Sequence, residues 1–170
     1  MSIKYLGAAL ILAGCGGVGF SMAAGIRQQE RLLRQMTRVL GVLESELQYR
    51  LTPLPELCGV ASRECAGILG HIFRELGDVL SRLEKEDAAA CMDLVLGHHR
   101  DLPGKLRKHL RHLGRSLGRF DLPGQLQGLQ SVCDGCRRDL DQLRKNADVR
   151  QKSYQTLALC AGASLVILFV

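Results

Sequence analysis

Two stretches without a charged residue, Tyr5 to Ile26 and Ser153 to Val170, bracket a middle in which apolar side chains recur at steps of three and four. As a helix the second spans about 27 Å at about 1.5 Å per residue, close to the ~30 Å hydrocarbon layer of a bilayer. The first is also long enough to cross. Its glycines, Gly7, Gly14, Gly16, Gly17, Gly19 and Gly25, weaken a helix in water but let two membrane helices approach closely. A membrane hairpin is therefore preferred to a buried C-terminal core helix.

Between them, Leu33, Met36, Leu40, Leu43 and Leu47 predict an amphipathic helix that continues out of the first segment as far as Leu51. Thr52-Pro53-Leu54-Pro55-Glu56 breaks it and gives a start signal, with Thr52 as N-cap and Pro53 at the first helical position. From Glu56 to Lys85 the positions Leu57, Ala61, Cys65, Ile68, Ile72, Leu76, Val79 and Leu83 keep helical spacing, and the glycines predict two helices jointed near Gly70. Asp87 caps a short helix running to His99, Asp101-Leu102-Pro103-Gly104 is a turn, and Lys105 to Gly118 is a helix facing inward through Leu106, Leu110, Leu113 and Leu117. From Asp121 on, Leu122, Leu126, Leu129, Cys133, Cys136, Leu140, Leu143 and Ala147 alternate steps of four and three, a heptad seam on one helix that runs into the second apolar segment. No segment alternates as a strand does. The expected fold is all-α: an antiparallel bundle over 27–152, flanked by transmembrane helices over 1–26 and 153–170.

Charge sets the topology. Every lysine and arginine except Lys4 lies in the middle domain, and those nearest the apolar segments are Arg27, Arg31, Arg34 and Arg38 on one side, Arg144, Lys145, Arg150 and Lys152 on the other. The positive-inside rule then places the domain in the cytoplasm and both termini across the membrane. Seven cysteines, an odd number with Cys15 and Cys160 inside the apolar segments, fit reduced thiols in that compartment.

Leu12-Ala13-Gly14-Cys15 has the form of a lipobox, so a lipid-anchored binding lipoprotein processed at Cys15 is the alternative. Against it, eleven apolar residues follow Cys15 before any charge, and a lipoprotein has no use for the second segment.

Candidate chemistry is thin. Cys133 and Cys136 have redox or zinc spacing, yet no second ligand pair or preceding strand accompanies them, and both fall in the seam, where core packing suits them. His109 and His112 could face one metal, but Lys105, Arg107, Lys108, Arg111, Arg115 and Arg119 surround them and repel a cation. These read as a solvated basic face. With no acidic residue between Asp101 and Asp121, it invites an anionic partner. With no Trp and few other aromatics, nucleic acid is disfavoured against anionic lipid headgroups or an acidic protein. Phosphate-loop, metalloprotease and nucleophile-elbow signatures are absent, so no enzyme and no cofactor are expected.

Four blocks point further. Leu40-x-x-Leu43-Glu44-Ser45-Glu46-Leu47-x-Tyr49-x-x-Thr52-Pro53-Leu54-Pro55-Glu56 resembles the hallmark of the stage III sporulation protein AB family. Lys4-x-x-Gly7-Ala8 with Gly19-Phe20, Leu113-Gly114-x-x-Leu117-Gly118-x-x-Asp121-x-x-x-Gln125, and Lys152-Ser153-Tyr154-x-x-Leu157 resemble its start, its later turn and its ending. The resemblance implies a non-catalytic component of the export-like complex linking mother cell and forespore, in the mother-cell membrane around the forespore. Its domain would face the mother-cell cytoplasm. That family is distantly similar to the F-type platform proteins of type II secretion, whose cytoplasmic domains are six-helix bundles. The partners it implies are a secretion-type ATPase and the other membrane proteins of the complex, with Glu44, Glu46, Tyr49, Thr52 and Glu56 as partner-binding candidates. Homo-oligomerisation stays open. The basic Lys105 to Arg119 face is more extreme than the resemblance requires.

Overall fold

The computed structural model describes the backbone of residues 2–82, 87–117 and 121–169, and the side chains of 25–82, 87–117 and 121–146. The side chains of the lipobox Cys15, of the matched residues at both chain ends and of nearly all of both uncharged segments, and the whole of Arg119, lie outside the described set. Among the described residues no helix is long and apolar enough to cross a membrane.

Six helices and no strand make up the described backbone: α1 (Ser2–Arg50), α2 (Leu54–Glu64), α3 (Ile68–Ser81), α4 (Ala88–His98), α5 (Gly104–Ser116) and α6 (Leu122–Phe169). The helices α1 and α6 are the long ones, about 73 and 72 Å at about 1.5 Å per residue. Each carries one uncharged segment and one amphipathic stretch on a continuous helix.

They run antiparallel in a fixed register. Gln130 Nε2 donates to Glu44 Oε1 over 2.7 Å, and Arg144 Nε lies 3.6 Å from Glu30. The step from Glu30 to Glu44 on α1 equals the step from Gln130 to Arg144 on α6, so neither helix slips against the other over that length.

The periodic positions face inward. Leu33, Met36, Leu40, Leu43 and Leu47 of α1 are buried, as are Leu106, Leu110 and Leu113 of α5, and the α6 seam is buried at Leu129, Cys136 and Leu140. Val132 joins them although it lies off the seam. Burying a leucine is worth roughly 1.5–3 kcal/mol, which makes this shared core the main force holding the six helices together.

Two local expectations are corrected. The joint between α2 and α3 falls at Gly67, not Gly70: Gly67 takes φ +66°, a left-handed conformation that costs other residues about 1–2 kcal/mol. Gly70 lies inside α3. The second concerns Thr52, which does not cap α2; the N-cap is Pro53, and no side chain caps the helix there. Asp87 does cap α4, its Oδ1 accepting from Ala90 N over 2.7 Å.

Helix α5 lies antiparallel on α6 and packs tightly on α4. At Gly114 a Cβ would meet Met92 Cβ at 2.6 Å, so only glycine allows α5 to approach α4 this closely.

Candidate docking site at the α1–α2 corner

Helix α1 must stop where it does. Pro53 pushes Thr52 out of the helical region, so the last helical residue is Arg50 and Leu51 takes the C-terminal position that usually falls to glycine. Leu51 adopts φ +51°, strained for a leucine by about 1–2 kcal/mol. The consequence is visible on the surface. Tyr49 and Leu51 are 78% and 67% exposed, the two exposed large apolar side chains among the described residues.

Leu51 also lines a shallow cleft of about 250 Å³, together with Leu47, Thr52 and Leu54 from the corner and Leu122 and Gln125 from the start of α6; Tyr49 is not part of its lining. Asp121 fixes that start, its Oδ1 accepting from Gly124 N over 3.2 Å and its carbonyl from Gln125 N over 3.0 Å. Two sequence blocks far apart in the chain thus meet at one opening.

The polar candidates form its frame. Glu46, with a side chain only 16% exposed, pairs with Arg50 Nη1 at 3.2 Å and accepts from Thr52 Oγ1 at 3.1 Å. Thr52 is therefore a strut across the corner, tying the residue before Pro53 back to α1. Glu44 accepts from Gln130 and so belongs to the α1–α6 register. Glu56 is exposed in the first turn of α2, where a carboxylate suits the positive helix end. Of the five candidates, Tyr49 and Glu56 face solvent while Glu44, Glu46 and Thr52 hold the corner's shape.

The basic helix is organised differently. Lys105 Nζ donates to Asp139 Oδ1 over 2.8 Å, and His109 Nε2 meets Asp139 Oδ2 at the same distance. Arg107 donates to the carbonyls of Leu96 at 2.8 Å and His99 at 2.6 Å, closing the end of α4. Arg111 donates to Asp93 over 2.7 Å. Lys108 and Arg115 are exposed with no ion pair among the described residues. His109 is not part of a solvated face, since its side chain is only 11% exposed.

Sequence reading missed the two carboxylates that organise this side. Burial alone would raise the Asp139 carboxyl, but hydrogen bonds from Lys105 and His109 outweigh it and hold the pKa below the usual range. Glu75 of α3 is opposed in the same way: burial raises it, yet bonds to His98 Nδ1 and His99 Nε2, at 2.5 and 2.8 Å, bring it down. The adjacent histidines could have signalled an acidic partner, but nothing in the spacing points to Glu75.

Cys136 is buried in the seam and its thiol is pushed up to about 12 by desolvation, while burial also raises the half-buried Cys133. Neither favours a thiolate. No group of side chains among the described residues could hold a metal ion.

The profile of the family described as stage III sporulation protein AB matches residues 4–170. The chain belongs to that family. Stage III sporulation protein AB of Bacillus subtilis (strain 168) is 24% identical over 173 residues, covering 99% of each chain. A solved structure of a stage III sporulation protein AB superposes with a TM-score of 0.61 at 21% identity, over 69% of this chain and 94% of that one. At that identity the superposition supports the helical fold. The corner and the α6 start fall within the matched span of this stage III sporulation protein AB family member, as the four quoted blocks implied.

Proposed function

We propose that this protein is a non-catalytic membrane platform of the sporulation export-like complex that links mother cell and forespore, and that the α1–α2 corner is where it engages a secretion-type ATPase. The observation that carries this is the convergence of the 40–56 and 113–125 blocks on one cleft lined by Leu51, with Tyr49 exposed on the same corner. An exposed tyrosine on the same corner as a leucine-lined cleft is suited to be a binding hot spot.

In this reading residues 1–26 and 153–170 cross the mother-cell membrane around the forespore and 27–152 face the mother-cell cytoplasm. The continuous α1 and α6 in antiparallel register support it, since two crossing segments side by side need that arrangement. The corner is then the pole away from the membrane.

Copurification of the detergent-solubilised full chain with the coexpressed ATPase tests the engagement. Retention in wild type and loss in Tyr49→Ala supports it; failure to copurify with all components of the complex present refutes it. A reporter inserted in the domain that is active only when exported would refute the topology.

A further inference from the structure

The middles of α1 and α6, next to their uncharged segments, hold a dense group of cations with few acids. Residues 25–34 and 141–152 contain Arg27, Arg31, Arg34, Arg144, Lys145, Arg150 and Lys152 against Glu30, Asp141 and Asp148. Glu30 is shared: Arg34 bonds it and Arg144 approaches it at 3.6 Å. Its carboxyl is held low, first by the Arg34 hydrogen bond, so it remains an anion between the two helices. Arg27, Arg31 and Lys145 are exposed, and no carboxylate among the described residues pairs with them.

We propose that this paired helical stretch is a docking collar for anionic lipid headgroups, with Arg27, Arg31 and Lys145 carrying the free charge. The proposal rests on the reading that both uncharged segments cross a membrane. Distance decides which cations a lipid surface can recruit. Arg27 is adjacent to the first segment and Arg31 is about 7 Å along the helix from Ile26, within a Debye length of about 8 Å at physiological salt. Lys145 is about 12 Å from Ser153 along α6, a gap its flexible side chain narrows.

The α5 cations lie farther off. Lys105 bonds Asp139 and Gln142, about 21 and 16 Å along α6 from Ser153, and at the other end of the helix Ser116 packs against Gly128, about 38 Å away, so α5 begins about two Debye lengths off and runs outward from there. The basic helix singled out in the sequence is thus the weaker candidate for lipid, and the collar the stronger. Arginine suits the task because its planar fork binds phosphate in bidentate fashion.

The test uses the full chain in nanodiscs of equimolar phosphatidylglycerol and phosphatidylcholine, transferred to detergent, with the ratio of the two lipids retained as readout. Each cation at the surface is worth roughly fivefold, about 1 kcal/mol. Wild type should therefore retain severalfold more phosphatidylglycerol. Arg27→Gln/Arg31→Gln/Lys145→Gln should bring the ratio near unity, and Arg74→Gln/Lys108→Gln/Arg115→Gln, with the same charge change elsewhere, should keep the enrichment. Raising salt toward about 1 M, where the Debye length is about 3 Å, should abolish enrichment in unaltered protein, an arm independent of how the variants fold. Enrichment that survives in the first triple variant, or is lost equally in the second, overturns the collar. A chain stripped from vesicles by alkaline carbonate overturns the membrane reading and the collar with it; stable insertion without lipid preference overturns the collar alone.

Discussion

Helix α5 carries seven basic or histidine side chains in a stretch without acids, and the α1–α2 corner carries the two exposed large apolar side chains of the described chain. In α5 the charge is largely turned to internal use. Lys105 and His109 share Asp139, Arg107 closes the end of α4, and Arg111 meets Asp93. At the corner the opposite happens: Glu46, Arg50 and Thr52 satisfy one another while Tyr49, on the helix, and Leu51, on a strained backbone, stay exposed. The contrast teaches that a dense charge run need not be a recognition surface, whereas a helix end dictated by Pro53 leaves apolar side chains exposed where a partner can use them. Changes in α5 should therefore cost stability, and changes at the corner should spare it.

The largest effect is expected inside the α4–α5 contact. Gly114→Ala forces a Cβ against Met92 and should destabilise by roughly 1–3 kcal/mol, read as a lowered melting temperature of the full chain in detergent. Asp139→Ala comes next. It leaves the nearly buried His109 without its acceptor and Lys105 with Gln142 alone, and should cost roughly 1–2 kcal/mol in the same assay. If both variants melt like wild type, the view of α5 as structural is broken.

Leu51→Gly should move the other way, raising stability by up to about 1 kcal/mol because glycine adopts φ +51° without strain. An unchanged or lower melting temperature would mean that the leucine side chain compensates for its own strain. Acid denaturation gives the smallest and most diagnostic signal. The Glu75 and Asp139 carboxyls are depressed in the folded protein, so the unfolded chain takes up their protons first. Their contribution is present above the usual carboxylate range near pH 4 and is lost as pH falls through the lower folded values. Asp139→Asn should flatten that acid limb relative to wild type.

The helices were legible because each buries one stripe, and a stripe at steps of three and four is visible without partners. Leu33 to Leu47, Leu106 to Leu113 and the α6 seam all face the core. The α2–α3 joint was misplaced by three residues because several glycines compete there and only the backbone shows that Gly67 is the left-handed one. The corner's residues were legible as a block, but their division into frame and outward contacts was not. Thr52 next to a proline signals a cap in sequence, and only the fold reveals that Glu46, six residues back, claims its hydroxyl instead. Asp139 and Glu75 stayed hidden since their partners are distant in sequence and ordinary in type.

The account turns on whether the corner binds, and the most direct measurement is the affinity of the detergent-solubilised full chain for the secretion-type ATPase with and without Tyr49→Ala. A surface truncation of this kind should change stability by no more than about 0.5 kcal/mol, yet a hot-spot tyrosine should weaken binding at least tenfold, about 1.4 kcal/mol. Equal affinities for wild type and Tyr49→Ala, both folded, would contradict it.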